Sequence, residues 1–312
     1  MSTKIGYLLP TRENIMENRP QGSLLLDLAE RAEDMGFDSL WVGDSLLARP
    51  RHEPLTLLAA VAGRTKTSSL GTAVLLPALR NPVIMAHQIA TLDQASDGRV
   101  ILGVGIAADT PAIRAEFTAA GVPFDKRVGR LMEGLRLCRE LWRGEPVTWD
   151  GRWQLDQQVL GPTPAQSGGP PLWLGTSSAP GLERAGKFFD GWFPTGPDAK
   201  TYADRWDSVR NAAAANKRDA NALSAAIYLT VAFDDNAEKA QDHVNQYLER
   251  YYNAPARVMR KHQAVYAGPS TEFSAWLHQY VDAGAQHIIL RFAGDHHRHL
   301  EAISTARASE NW

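Results

Sequence analysis

Eight short apolar runs recur along the chain with amphipathic helical patterns between them, and this alternation restricts the fold more than any other feature. The runs are residues 5–9, 39–43, 70–76, 100–106, 172–175, 191–195, 225–233 and 287–292. Several are apolar at successive positions, as expected of parallel strands covered on both faces. The first connection shows the device. Leu25, Leu28, Ala32 and Met35 fall on one helical stripe, Gly36 stands where a left-handed residue ends a helix, and Ser39-Leu40-Trp41-Val42 follows at once. The unit returns at 281–289, where Gly284 separates a helix from Ile288-Ile289. Eight such units predict an α/β chain closed as a (β/α)8 barrel, with an open doubly wound sheet as the competing architecture.

Two segments interrupt the alternation. Residues 146–171 are rich in Pro, Gly and Gln, and 147–153 reads as a small hairpin with an Asp150-Gly151 turn. Residues 234–269 read as an enlarged helical excursion between the seventh and eighth runs. No linker divides the 312 residues, so one domain is expected. A net charge of −2 gives no footprint for nucleic acid or an anionic membrane. One cysteine, Cys138, excludes an intrachain disulfide and suits a reducing compartment. With no signal-peptide pattern and no apolar stretch near 20 residues, a cytoplasmic location is the default expectation.

The reactive face of such a barrel is the carboxyl end of its strands. After the fifth run, Thr176, Ser177 and Ser178 precede a helix with Pro180 in its first turn. Amides and hydroxyls there would suit an anion; simple capping by Ser178 is the commoner role. Arg127 opens a long helix whose apolar stripe is Val128, Leu131, Leu135, Cys138 and Trp142. A cation there opposes the helix dipole unless an anion offsets it, so Arg127 is a candidate phosphate partner, with pairing to Asp125 or solvation as the equal alternative. Gly103-Val104-Gly105-Ile106-Ala107-Ala108 matches G-x-G-x-x-A only formally, because it lies on the fourth strand and Asp109-Thr110-Pro111 delays the helix. Its glycines read as space for a flat ligand. His296-His297-Arg298-His299 lacks metal-ligand spacing and reads as a polar helix start. His52 and Asp44 are possible acid–base groups at the mouth, and Trp41, Trp192 and Phe193 possible apolar walls.

The order of motifs resembles the luciferase-like monooxygenase superfamily. Gly36-Phe37-Asp38-Ser39-Leu40-Trp41-Val42-Gly43-Asp44 is similar to its second-strand motif, and Leu70-Gly71-Thr72-Ala73-Val74-Leu75-Leu76-Pro77 with Arg80-Asn81-Pro82 to its third. Thr91-Leu92-Asp93-Gln94-Ala95-Ser96-Asp97-Gly98-Arg99 leading into Leu102-Gly103-Val104-Gly105 resembles the fourth, and Ala283-Gly284 before Ile288-Ile289 the last. The resemblance implies a barrel carrying reduced FMN or coenzyme F420, a deazaflavin, at the carboxyl face. It implies a cis peptide at Ala73–Val74 against the tricyclic ring, phosphate contacts at Arg127 and Gly175-Thr176-Ser177-Ser178, and a flavin contact at Asp44. Thr72 and Gly105 complete the cofactor set it implies. Bacterial luciferase has a catalytic histidine directly after the acidic residue of the second motif; here that position is Ser45, so no general base transfers, and His52 and Ser45 are the only catalytic candidates.

The activity expected from this resemblance is FMN-dependent monooxygenation of a small organic substrate, with reduced flavin from a separate reductase. An F420-dependent oxidoreductase that moves hydride without oxygen is the alternative, and a flavin-binding barrel without turnover a second. A homodimer is a family-level expectation.

Overall fold

Buried strands return one after another to a single parallel sheet in the computed structural model, which describes residues 3–309. The strands are β1 Lys4–Leu8, β2 Ser39–Val42, β3 Ser69–Leu75, β4 Val100–Gly105, β5 Val147–Asp150, β6 Gln154–Gln158, β7 Leu172–Gly175, β8 Gly191–Trp192, β9 Ser224–Phe233, β10 Val265–Gly268 and β11 His287–Phe292. In the main sheet β1, β2, β3, β4, β7 and β8 follow in order, and β11 joins β1 to β9. Pairing of Gly191 with Ser224 and Trp192 with Ala225 closes the ring at eight strands. That closure excludes the open sheet and gives the expected (β/α)8 barrel.

Two departures have local causes. The sixth run is a strand only at Gly191–Trp192; Pro194 has no amide to donate beyond it. β9 is ten residues long and outruns this short neighbour. The excursion after β9 holds the helix Ala237–Tyr252 but ends in β10, which pairs with Thr230–Phe233 along the edge that β8 leaves open. The expected helical excursion therefore contains a ninth strand, too short at four residues to show a period. The hairpin is present as antiparallel β5 and β6, its turn held by Glu133, which accepts from the Arg152 amide at 2.7 Å.

The barrel interior is filled by Leu8, Trp41, Trp173, Phe193, Ala226, Tyr228 and Ile289. Trp41 and Trp173 stack with ring centroids 5.6 Å apart. Two indoles inside one barrel demand space from the neighbouring strands. A Cβ on Gly71 would fall 2.2 Å from the Trp41 ring, and one on Gly191 would fall 2.6 Å from the Trp173 ring. Beneath them Ser39 Oγ lies 2.6 Å from His287 Nε2 and accepts from Trp41 Nε1 at 2.7 Å. Burial pushes His287 down to about 3, so it is neutral there. Outside, the helix Arg127–Leu141 buries Leu131, Leu135 and Cys138. The Cys138 thiol faces Pro82 O and burial pushes its ionisation well up, as suits an inert core residue. Among the described residues, no helix is long and apolar enough to cross a membrane.

Candidate cofactor site

A cavity of about 670 Å³ opens at the carboxyl end of the barrel, a size suited to one cofactor-sized ligand. Its floor comes from β3. The peptide Ala73–Val74 is cis, and the register with β4 shifts between Thr72 and Leu75. Val74 leans over its neighbours: a Cβ on Gly105 would lie 2.5 Å from Val74 Cγ2, and one on Gly175 would lie 3.1 Å from Val74 Cγ1. Gly105 is thus the close-approach residue of the dinucleotide-like motif, and the helix that follows begins only at Pro111.

The adjoining wall is the turn Gly175-Thr176-Ser177-Ser178. Trp192 Nε1 donates to Thr176 O at 2.8 Å, and a Cβ on Gly181 would fall 1.9 Å from Thr176 Oγ1, so the turn is gripped from both sides. Ser178 is the N-cap of the helix Ala179–Phe188, yet its side chain makes no capping bond. The capping alternative is therefore not what the structure has, and the hydroxyl stays exposed at a helix N-terminus, where negative charge is favoured.

Arg127 borders the same cavity. Its guanidinium lies over the Phe124 ring at 3.7 Å, donates to Phe124 O at 3.2 Å, and has a buried Nε without a partner. Asp125, the alternative partner, pairs with Arg114 at 3.5 Å instead. A cation without a carboxylate and an uncapped serine turn meet in one space.

Eight of the expected cofactor residues line that space: Ala73, Val74, Gly105, Arg127, Gly175, Thr176, Ser177 and Ser178. Asp44 and Thr72 do not. Asp44 is bound by Arg80 at 2.5 Å and accepts from Leu76 N at 2.8 Å, which ties the β2 loop to the end of β3. Thr72 is buried and donates to Gly103 O at 2.8 Å. The two catalytic candidates are also occupied elsewhere. Ser45 Oγ accepts from Arg49 N at 2.9 Å and faces Glu116, which also takes the amides of Leu46 and Ala48. The two ring nitrogens of His52 face Pro20 O at 2.9 Å and Thr11 O at 3.4 Å. Both residues fasten loops and neither lines the cavity.

Of the three proposed walls, only Phe193 reaches it. Trp41 is barrel core, and Trp192 stacks between Tyr202 and Trp206. His296 and His299 are also held by protein groups: His296 Nδ1 lies 2.7 Å from Tyr7 Oη, and His299 Nε2 accepts from Phe233 N at 2.9 Å. Sequence reasoning missed Arg49, Arg184 and Tyr228 as lining residues. Tyr228 sits inside the apolar run of β9 and carries no signal apart from being its one residue with a titratable side chain.

Comparison with known proteins agrees with this architecture. The family model described as luciferase-like monooxygenase matches residues 3–309. The F420-dependent glucose-6-phosphate dehydrogenase of Mycobacterium avium (strain 104) is 31% identical over 308 residues, covering 89% of this chain and 90% of the relative. A solved F420-dependent secondary alcohol dehydrogenase superposes with a TM-score of 0.84 at 21% identity, covering 98% of each chain. A long-chain alkane monooxygenase reaches 0.82 at 16% identity, covering 99% of this chain and 92% of that one. The shared fold thus spans dehydrogenases and oxygenases alike. Relatives near 30% identity are F420-dependent glucose-6-phosphate dehydrogenases, which supports the deazaflavin alternative better than the expectation of FMN and oxygen. On the family model that matches residues 3–309 and on the relatives that match along nearly its whole length, this chain belongs to the luciferase-like monooxygenase family.

Proposed function

We propose that this protein is a coenzyme F420-dependent oxidoreductase that moves hydride between the deazaflavin ring and a small organic substrate. The observation that carries the reading is the full-length similarity to F420-dependent dehydrogenases, joined to a cavity that fits a phosphorylated tricycle. Val74, Gly105 and Phe193 would flank the ring, and Ser177, Ser178 and Arg127 would hold the phosphate. When bound, the coenzyme supplies the hydride chemistry.

The chain's own contribution is positioning and one proton. Among the described lining residues there is no histidine or carboxylate; beside three arginines stands Tyr228. Burial first, against the opposing influence of Arg291, raises the Tyr228 phenol well above its ordinary value, so it is protonated at neutral pH. Tyr228 would give that proton to a substrate oxygen as the adjacent carbon receives hydride, and take it back in the oxidative direction.

Absorbance titration with F420 and with FMN, followed by anaerobic turnover, tests the reading. Preferential F420 binding with oxygen-independent turnover is expected. Preferential FMN binding with reductase-dependent oxygen consumption would overturn it, as would coenzyme binding without turnover of any alcohol or carbonyl compound.

A further inference from the structure

Beside the cofactor cavity four guanidinium groups crowd around two adjacent tyrosines. Arg12 lies 5.0 Å, Arg51 5.9 Å and Arg291 4.8 Å from the Tyr251 ring, while Arg49 lies 4.9 Å and Arg291 5.4 Å from Tyr252. None of the four forms an ion pair with a carboxylate among the described residues. Arg291 is 1% exposed and is satisfied by Thr230, Tyr252 and Gln263. Arg51 is met in part by a hydrogen bond with the Tyr251 side chain; Arg12 and Arg49 are less well provided for. Arg51 Nε donates to Arg49 O, and Arg12 Nε and Nη1 are buried without any partner. Asn14, 3% exposed, has an equally orphaned Nδ2, and the residue borders a second cavity of about 380 Å³ shared with Tyr251.

Every unmet group here is a donor. Buried donors left unpaired cost stability, and like charges brought together add to it. Burial, followed by the opposed neighbours Tyr251, Arg51 and Arg49, leaves Arg12 below the usual arginine range. The one carboxylate near the cluster, Glu13, accepts from the Tyr247 hydroxyl and acts on Arg12 and Arg51 through space, without an ion pair to either. An acceptor-only ligand with negative charge is the chemistry that answers such donors.

Arg49 and Tyr228 connect the cluster to the cofactor cavity. A Cβ on Gly43 would lie 2.1 Å from Arg51 Nη1 and 3.6 Å from Ala73 O, which puts this guanidinium beside the Ala73–Val74 bulge. We propose that Arg12, Arg49, Arg51 and Asn14 form a site for an oxyanion carried by the substrate, a phosphate or carboxylate, held at the edge of the cofactor ring. The site is separate from the Arg127–Ser178 turn. The proposal rests on the preceding functional reading for calling this ligand a substrate; the presence of the anion site does not.

Calorimetric titration of the coenzyme-free full chain with inorganic phosphate and with malonate tests it, using wild type, Arg12→Gln, Arg49→Gln, Arg51→Gln and Arg127→Ala. A saturable site is expected for at least one anion, weakened tenfold or more by each of the first three substitutions and retained in Arg127→Ala; the tighter anion names the substrate's charged group. Absence of saturable binding in wild type would overturn the proposal. So would a site lost in Arg127→Ala and kept in the other variants, because the anion would then sit at the cofactor turn. Melting of the ligand-free proteins adds a second reading: Arg12→Gln should melt at or above the wild-type temperature, since it removes an unpaired buried cation, and a drop of several degrees would mark Arg12 as structural. Because no coenzyme enters the titration, its outcome is independent of whether F420 binds.

Discussion

The Arg127 guanidinium rests 3.7 Å from the centre of the Phe124 ring, which fixes the cation at the cavity edge without neutralising it. Stacking on an aromatic face restricts the side chain while leaving its donors available. Arg127→Ala should weaken F420 binding by roughly tenfold to a hundredfold, the worth of a charge-assisted hydrogen bond. The deazaflavin chromophore without its phosphate tail should lose far less. Parallel titrations of both ligands check this, and equal weakening would remove Arg127 from the phosphate site.

Tyr228 is 8% exposed, lines the cavity, and has the Arg291 guanidinium 5.1 Å from its ring. Tyr228→Phe keeps the packing and deletes the proton. The expected result is a fall in kcat of about a hundredfold with little change in KM for the substrate, in line with loss of a general acid. Steady-state kinetics decide the point: a kcat within twofold of wild type would assign the proton to another group.

Much of this site was legible in the sequence, and the limits have physical causes. Ser177, Ser178 and Arg127 were visible because a helix start carries known donors and a known dipole. What the sequence left open was whether those donors were already used, and that depends on contacts such as Asp125 with Arg114. Asp44 was a flavin contact only by the family resemblance; its partner Arg80 lies 36 residues away, beyond any local pattern. β10 escaped notice since four residues show no period, and Tyr228 since one polar tip on a buried strand resembles core. The barrel itself was written in eight repeated units, while closure depended on two residue pairs between β8 and β9.

Asp44 and Arg80 form a largely buried pair, with side chains 5% and 18% exposed. Asp44→Asn would leave Arg80 facing a neutral amide, with Glu53 at 3.0 Å as its remaining carboxylate. Breaking one side of such a pair costs about 3 kcal/mol. Denaturant unfolding should show that loss, and the double variant Asp44→Asn with Arg80→Met should recover part of it through the coupling of the two sites. Strictly additive losses would mean that the pair contributes nothing jointly.

Glu33 ties the first barrel helix to the loop before β3. Burial opposes its ionisation, but the amides of Ser68, Thr67 and Lys66 outweigh that, and the carboxyl is held at about 2 against an ordinary 4.5. The three bonds measure 2.7, 2.9 and 2.7 Å. Because the folded value is the lower one, the carboxylate stabilises the protein fully above about pH 4.5, and the contribution fades as pH falls toward 2. Discounted for solvent screening, it is worth about 2 kcal/mol. Glu33→Gln should therefore be less stable than wild type at pH 7, and the two should converge as the pH is lowered from 5 to 3. Denaturant midpoints across that range test the linkage, and a constant gap between the proteins would show that Glu33 acts through packing rather than charge.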